Sequence, residues 1–598
     1  EGELVWISPN GGPVTKIDMA RNRGNVHFTR DTTKVYLNTG GGSLVSIRWD
    51  GTDEKTYVRV TGITTYGTNE GEDGFQYVMG KPTMTRDPLN HCMLPENSDG
   101  REPQNLPTSA STILMAPVGN KALAQVNNNI YVVTVPEAGK VASISVADPK
   151  SSNFPSRQLT EIGGDFPAWE ADGKKVHWSL GNGHWVYDVS KAGLFEDSVK
   201  VAKKEEDRRK ADSIRTLTAA GPDAKKLADT LAKKRADSLT LAKKADTAKA
   251  RLDSIAEAKA KNPKFEPAET QVKVFYKKDI PNGTILLKNA RIITMKGDEI
   301  IENGDVLIVN NRIQAVGKTG TLSVPSGAKV VDCSGKTVTP GFIDTHSHMW
   351  PYWGLHKTQP WIYAANLAYG VTTTRDPQTA TTDVLTYGDM VESGMTTGPR
   401  IYSTGPGVGF WMYNLKDLDQ TRNVLKQYSK YYNTKYIKMY LVGNRQHRQW
   451  VIMAAKEQQL MPTTEGGLDY KLNMTQMLDG YPGHEHSIPI FPLYKDVTRT
   501  IAESKMAVTP TLLVAYGGPW AENYYYTNES PLKDPKLNRF TPYEELSAKT
   551  RRRAGSLGGW FTNEDHVFTK HAQGIKSLVS QGGLAGIGSH GQLQGLGY

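Results

Sequence analysis

The sequence predicts a multidomain protein: a partial β-propeller, then a small β-sandwich and a (β/α)8 TIM-type barrel, with an α-helical hairpin inserted before the sandwich. Three observations predict it. A strand–turn–strand unit recurs through residues 1–193, a Lys/Ala-rich stretch without aromatics follows, and after Gly341 eight β-type runs alternate with seven helical patterns. At roughly 100–200 residues per domain, the 598 residues exclude a single domain.

Composition narrows the class. Apolar residues are 38% of the chain, and 57 glycines bring it into the ordinary globular range, so wholesale disorder is excluded. No run approaches the roughly 18 apolar residues of a bilayer-spanning helix. Of the net charge of +10, +6 falls between Val201 and Ala260 and +4 on the other 538 residues. Nucleic-acid-binding proteins carry a basic face across their folded domains, so nucleic acid is set aside as a partner. Two cysteines, Cys92 and Cys333, are too few for a disulfide framework or a Cys-based zinc site. The chain opens on Glu1, with neither Met nor a signal peptide, and reads as starting at a processing point or a cut.

In residues 1–193 the runs Phe28–Leu37 and Trp169–Trp178 share one pattern, each followed by glycines and a second strand, Leu44–Trp49 and His184–Asp188. Lys34 and Lys175 lie 141 residues apart, about three blades of roughly 40–45 residues, and a weaker copy sits between them at Asn120–Val133. An Asp-Gly turn occurs in any β protein, but three units in register favour a propeller over a generic hairpin array. The unit resembles the propeller repeat of tricorn protease and of the periplasmic Tol-system propeller protein. Propellers close with four to eight blades, so these are read as C-terminal blades with others upstream of Glu1. The stretch from Gly67 to Thr108, with five prolines, reads as a loop insertion.

Residues 194–270 are rich in Ala, Lys, Asp and Leu, and Gly221-Pro222 splits them into two helical stretches. In the second, Leu241, Ala245, Ala248, Leu252 and Ile255 share one face. A solvated helical hairpin is the favoured reading; the sharper one is a docking arm for a protein partner or a second copy. In residues 271–340 a propeller-closing strand is expected, then short strands at Thr284–Thr294, Gly304–Val309, Arg312–Gly317 and Lys329–Asp332, as in a small sandwich. Residues 341–598 read as a barrel with strands at 342–348, 371–376, 399–404, 436–441, 461–465, 483–488, 507–515 and 584–590. Helices such as Asp417–Tyr432, Arg445–Gln459 and Asp565–Gln581 fill the intervals. The closing helix is missing, so the barrel reads as C-terminally incomplete.

The first barrel strand ends Thr339-Pro-Gly-Phe-Ile-Asp-Thr-His-Ser-His348. Residues i and i+2 of a strand face the same way, so His346 and His348 point together at the C-terminal end, where barrel active sites sit. Two imidazoles so spaced can chelate one metal ion. His-x-His alone is more often a pair of surface residues; its place on this strand, behind a small sandwich, sharpens the reading.

The run Leu287–Met295, then Val331-Asp-Cys-Ser-Gly-Lys-Thr-Val-Thr-Pro-Gly-Phe-Ile-Asp-Thr-His-Ser-His348, resembles the entry to the amidohydrolase superfamily, and Gly370–Pro377 is similar to its second strand. With the propeller in front, the whole resembles periplasmic proteins that join a Tol-like, WD40-like propeller to an amidohydrolase. The resemblance implies hydrolysis of C–N or ester bonds by metal-activated water, one or two divalent ions (zinc by expectation), small-molecule or short-peptide substrates, and a periplasmic or exported location with a signal peptide upstream of Glu1. It also implies ligands on later strands: Lys438, a lysine that is carboxylated in several members; Glu465, where the family usually has His; and His486, with His484 the weaker candidate. The family's strand-eight Asp is absent from Ala585-Gly-Ile-Gly-Ser-His-Gly591, and His590 stands in its place, able to accept a proton from metal-bound water or to bind the metal itself; the expected catalytic base is His590, with Glu465 the alternative. The missing Asp favours a second reading, a degenerate amidohydrolase acting as a propeller-based scaffold; the retained metal-capable residues favour the enzyme. His27, His91, His177, His184, His356, His447, His566 and His571 read as packing or surface residues.

Overall fold

The computed structural model describes residues 3–19, 23–64, 84–86, 93–95, 107–137, 139–219, 263–349, 356–379, 381–409, 415–440, 442–467, 469–514, 531–547 and 562–590, with Lys233 and Tyr524 besides. It divides into two compact units, Glu1–Ile63 with Ser109–Val272, and Thr64–Thr108 with Lys273–Tyr598.

The first unit contains three four-stranded antiparallel arrays. Their strands are Arg23–His27, Lys34–Thr39, Ser43–Arg48 and Lys55–Thr64; Thr112–Met115, Lys121–Val126, Asn129–Thr134 and Ser156–Gln158; and Asp165–Trp169, Lys175–Leu180, Gly183–Asp188 and Ala268–Gln271. Ala142–Ser145 adds to the first array, parallel to Lys55–Thr64. The two central strands of each array are the repeat read from sequence, beginning at Lys34, Lys121 and Lys175. Between Val126 and Asn129 the turn residues Asn127 and Asn128 both have positive φ, as a two-residue type I′ turn requires. Alternation sends Leu44, Val58, Val60, Ile113, Ala122, Ala124, Val133 and Ile144 into one buried cluster and Val35, Leu37, Val45 and Ile47 into another.

Two expectations shift here. The helix begins at Val189, earlier than predicted, and runs unbroken to Ala219. The Asp188 carboxylate at the end of the preceding strand accepts the Lys191 N–H at 2.8 Å, an N-cap that starts the helix where the strand stops. The stretch after Gly221-Pro222, including the stripe from Leu241 to Ile255, lies outside the described residues. Ala268–Gln271, at the start of the stretch where a propeller-closing strand was expected, is the outer strand of the third array, pairing Ala268 with Val186 and Gln271 with Gly183. Of Gly67–Thr108, the described residues include the antiparallel pair Met84–Arg86 and Met93–Pro95.

In the second unit, Thr284–Ile293, Ile300–Val309, Arg312–Lys318, Lys329–Asp332 and Thr337–Val338 form one mixed sheet, where a sandwich was expected. The long Thr284–Ile293 strand pairs along one edge with Ile300–Val309 and along the other with Lys329–Asp332 and Thr337–Val338. The described strands therefore join a single layer, with Ala290, Ile292, Val306 and the free Cys333 buried against it.

Eight parallel strands follow: β1 Phe342–Asp344, β2 Val371–Asp376, β3 Arg400–Ser403, β4 Tyr436–Tyr440, β5 Met461–Glu465, β6 Gly483–Glu485, β7 Ala507–Thr509 and β8 Leu584–Ala585. β1, β2 and β3 pair in order, as do β4 to β8, and the short Val408–Gly409 pairs with β4. Helices Trp361–Ala368, Asp383–Glu392, Leu418–Lys426, Arg445–Glu457, Tyr470–Leu478, Lys495–Ser504 and Phe568–Ser580 occupy the intervals. The expected helix Asp417–Tyr432 divides into Leu418–Lys426, capped by Asp417, and a π-helical turn, Gln427–Tyr432. Thr345 N–H donates to Ile587 O, and His590 N–H to His346 O, both at 2.7 Å, which joins the chain beyond β1 to the chain beyond β8. No helix among the described residues is long and apolar enough to cross a membrane.

Candidate metal centre

Several strands are shorter than predicted, and the chain beyond their ends carries the chemistry. β1 stops at Asp344 because its carboxylate Oδ1 accepts the N–H groups of both His346 and Ser589 at 3.1 Å. The Ser589 hydroxyl donates to Oδ2 of the same carboxylate. β8, expected to reach residue 590, pairs only at Leu584–Ala585. Its continuation is held by those bonds, and His590 adopts a left-handed backbone, φ 58°.

His346, His486 and His590 are buried, and one ring nitrogen from each lies within 4.8 Å of the others. The His346 and His348 rings are 4.9 Å apart, with their Nε2 atoms at 3.1 Å. His348 and His590 are 4.8 Å apart, centroid to centroid. Lys438 Nζ and Glu465 Oε2 form a buried ion pair at 2.5 Å, and Glu465 Oε1 is 2.8 Å from His486 Nε2. His486 Nδ1 lies 2.6 Å from the Thr511 hydroxyl. The six residues expected at the site therefore form one buried neighbourhood: four imidazoles, with His346 and His590 each in ring contact with the other three, and the Lys438–Glu465 pair joined to them through His486.

His484 is buried too, but its Nδ1 faces His486 O at 3.2 Å. Strict alternation would set His484 and His486 on one face. The left-handed backbone at His486, φ 74°, breaks that alternation, so Glu485 and His486 both serve the site and His484 does not.

Sequence reasoning missed Glu485, Arg375 and Asp376. Glu485 Oε2 accepts His346 Nδ1–H at 2.8 Å. Arg375 donates to Glu485 Oε1, to Thr463 Oγ1 at 3.1 Å and to Thr345 O at 2.7 Å. Asp376 lies 3.6 Å from His348 Nδ1 and accepts the Met349 N–H. The available signal was charge: Arg375-Asp376 closes β2 and Glu485 closes β6, where side chains are buried.

Burial, reinforced by Lys438 and by the neighbouring imidazoles, holds His346 well below the ordinary histidine range. Burial, then His348, His346 and His486, does the same to His590. Burial works to raise Glu465, but His486 and Lys438 outweigh it and hold the carboxylate ionised. Glu485 is likewise lowered: burial opposes, and Arg375 and Lys438 prevail.

These protonation states test whether a cation fits. His346 Nδ1 faces a carboxylate and His348 Nδ1 faces the Gln378 carbonyl at 3.3 Å. Both acceptors lack a proton, so both Nδ1 atoms donate one, and the neutral tautomer that does so presents a bare Nε2 lone pair. Two bare Nε2 atoms 3.1 Å apart repel unless a cation sits between them. His590 Nδ1 is buried with no hydrogen-bond partner, and such an atom calls for an explanation. The donor set fits a divalent ion that accepts imidazole.

The other histidines stay outside this group. His447 caps its own helix with Asn444, His356 pairs with Asp383 at 2.9 Å, and His177 stacks on His184. His27 Nε2 accepts the Met115 N–H, and His566 and His571 are buried away from the cluster. His91 lies outside the described residues.

No family model matches the chain. A 64-residue stretch, 11% of the chain and 10% of the relative, is 44% identical to dihydropyrimidinase-related protein 5 of Homo sapiens. A 65-residue stretch, 11% of the chain and 15% of the relative, is 42% identical to dihydroorotase of Caldicellulosiruptor saccharolyticus. These matches span less than a fifth of the relatives' length. Among solved structures, a Xaa-Pro dipeptidase with bound methionine in its active site is 17% identical, over 53% of this chain and 82% of that one, with a TM-score of 0.37. The local matches, dihydroorotase among them, support the resemblance to the amidohydrolase superfamily that the motif run carries.

Proposed function

We propose that this chain is a metal-dependent hydrolase of the amidohydrolase kind, cleaving C–N bonds, amide or peptide-like, in small substrates. In the same reading the eight parallel strands close as a (β/α)8 barrel, and the arrays of the first unit are blades of a β-propeller in an exported protein. The paired order of β1–β3 and β4–β8 and the bonds joining the chain beyond β1 and β8 support the barrel. The observation that carries the function is the buried trio His346, His486 and His590, with His348 Nε2 facing His346 Nε2.

His346, His348 and His486 would hold the ion, and zinc suits their imidazoles. Lys438 as an ammonium neutralises Glu465; carboxylated, it would be a further ligand. When bound, the ion supplies a Lewis acid and brings the pKa of water to about 7. His590 accepts the proton, because burial, then the neighbouring His348, His346 and His486, holds its ring well below the ordinary histidine range and its Nδ1 is unengaged. Glu465 is held ionised beside His486 and Lys438.

Elemental analysis of protein purified without chelators tests the reading. One or two divalent ions per chain are expected, and the His346→Ala/His348→Ala double variant should lose them. A wild-type protein without metal, or a double variant that keeps it, overturns the proposal. His590→Ala should abolish most turnover while retaining metal. Loss of metal as well would make His590 a ligand instead.

A further inference from the structure

Glu485, at 1% exposure, is a buried carboxylate that the proposed chemistry leaves unused. It stands beside the ligand His486, yet its own hydrogen bond goes to a different ligand, His346. Its other oxygen is taken by Arg375, which is anchored to Thr345 O on the segment carrying His346 and to Thr463 on β5. The chain Arg375–Glu485–His346 thus ties the ends of β2 and β6 to the first ligand pair.

We propose that Glu485, clamped by Arg375, is a positioning residue that holds His346 as its Nδ1–H tautomer and aims the bare Nε2 at His348 and at the cation. The inference rests on the metal reading for its purpose, but not for its geometry. Three features carry it. The carboxylate is an acceptor only, so the proton between Glu485 and His346 belongs to Nδ1. Arg375 occupies Oε1, leaving Oε2 for the imidazole. Finally, His346 N–H is fixed independently by Asp344, so the backbone places the residue and Glu485 decides which ring nitrogen faces inward. Such partners of metal-binding histidines typically change metal affinity by about 10–100-fold when removed.

The test is a two-bond ¹H–¹⁵N correlation on full-length, metal-stripped protein labelled with ¹⁵N-histidine, with the His346 signal assigned by its loss in His346→Gln. His346 should be protonated at Nδ1 and bare at Nε2. In Glu485→Gln the side-chain amide can donate to Nδ1, so His346 should shift toward the Nε2–H form. Zinc affinity, measured by competition with a chromogenic chelator, should fall about 10–100-fold. Arg375→Lys keeps the charge and should retain the wild-type tautomer. Nε2–H in the wild type overturns the proposal; so do an unchanged tautomer and affinity in Glu485→Gln. If that variant does not fold, the wild-type spectrum decides alone. A protein with His346 in the Nδ1–H form that binds no metal would defeat the metal reading and leave the positioning role standing.

Discussion

The antiparallel arrays of the first unit and the strand ends of the second bury different matter. The cluster around Leu44, Val58, Val60, Ile113 and Val133 is apolar throughout. At the ends of β1, β2, β4, β5 and β6 the chain buries Asp344, His346, His348, Asp376, Lys438, Glu465, Glu485 and His486. Apolar burial needs only complementary shape and the exclusion of water. Buried charge is tolerated only where each group has a partner, because desolvation of an unpaired ion costs several kcal/mol. The strand ends of the second unit are therefore held by polar groups that each need the next as a partner.

The sharpest way to break the contrast is to remove one member of an ion pair. Lys438→Met leaves Glu465 buried beside His486 and should destabilise the second unit by about 3–5 kcal/mol. The double variant Lys438→Met/Glu465→Gln should recover much of that, as chemical denaturation would show. Leu44→Ala, in the apolar cluster, should cost about 2–5 kcal/mol with no second-site change able to restore it by charge balance.

Acidity should move the two regions in opposite directions. Burial, aided by His486, lowers His484 to about 4. The unfolded chain therefore binds a proton that the folded one refuses between the ordinary value of about 6.5 and 4, and stability falls as pH drops through that window, by about 3 kcal/mol. Burial raises Asp165, in the first unit, to about 6. There the folded state keeps a proton that the unfolded chain has lost, so stability rises as pH falls from about 6 to 4, by a smaller amount because Asp165 is partly exposed. Hydrogen exchange of metal-free protein at pH 7 and pH 4.5, resolved by unit, should show the second unit loosening and the first not. Equal loosening of both would dissolve the comparison. The smallest effect belongs to a local feature: Asn444 accepts the His447 N–H at 3.2 Å, and Asn444→Ala should cost about 1 kcal/mol, read as a small fall in Tm.

Legibility followed the same divide. The repeats at Lys34, Lys121 and Lys175, the eight parallel runs and the helices between them were readable, because strand alternation and helical periodicity are written in neighbouring residues. His346 and His348 were readable for the same reason, being two apart in a run read as strand, although they lie just beyond the end of β1. Lys438, Glu465, His486 and His590 came from resemblance, and the structure brings them into one neighbourhood with the first pair. The outer strand Ala268–Gln271 was missed, since it joins Gly183–Asp188 across some 80 residues of intervening chain. Glu485 was passed over in favour of His484, because alternation assumes an extended backbone and His486 does not have one. Arg375 was passed over because nothing in its own stretch of chain names a partner 110 residues away.

Local pattern along the chain sets which residues prefer strand or helix and which carry metal-capable side chains, since those properties reside in the residue and its immediate neighbours. Tertiary contacts alone set Asp344 to end β1 by accepting from His346 and from Ser589, 245 residues on, Glu485 rather than His484 against His346, and the Nε2 atoms of His346 and His348 face to face. Hydrogen bonds and desolvation depend on which groups meet in space, and separation along the chain does not encode that meeting.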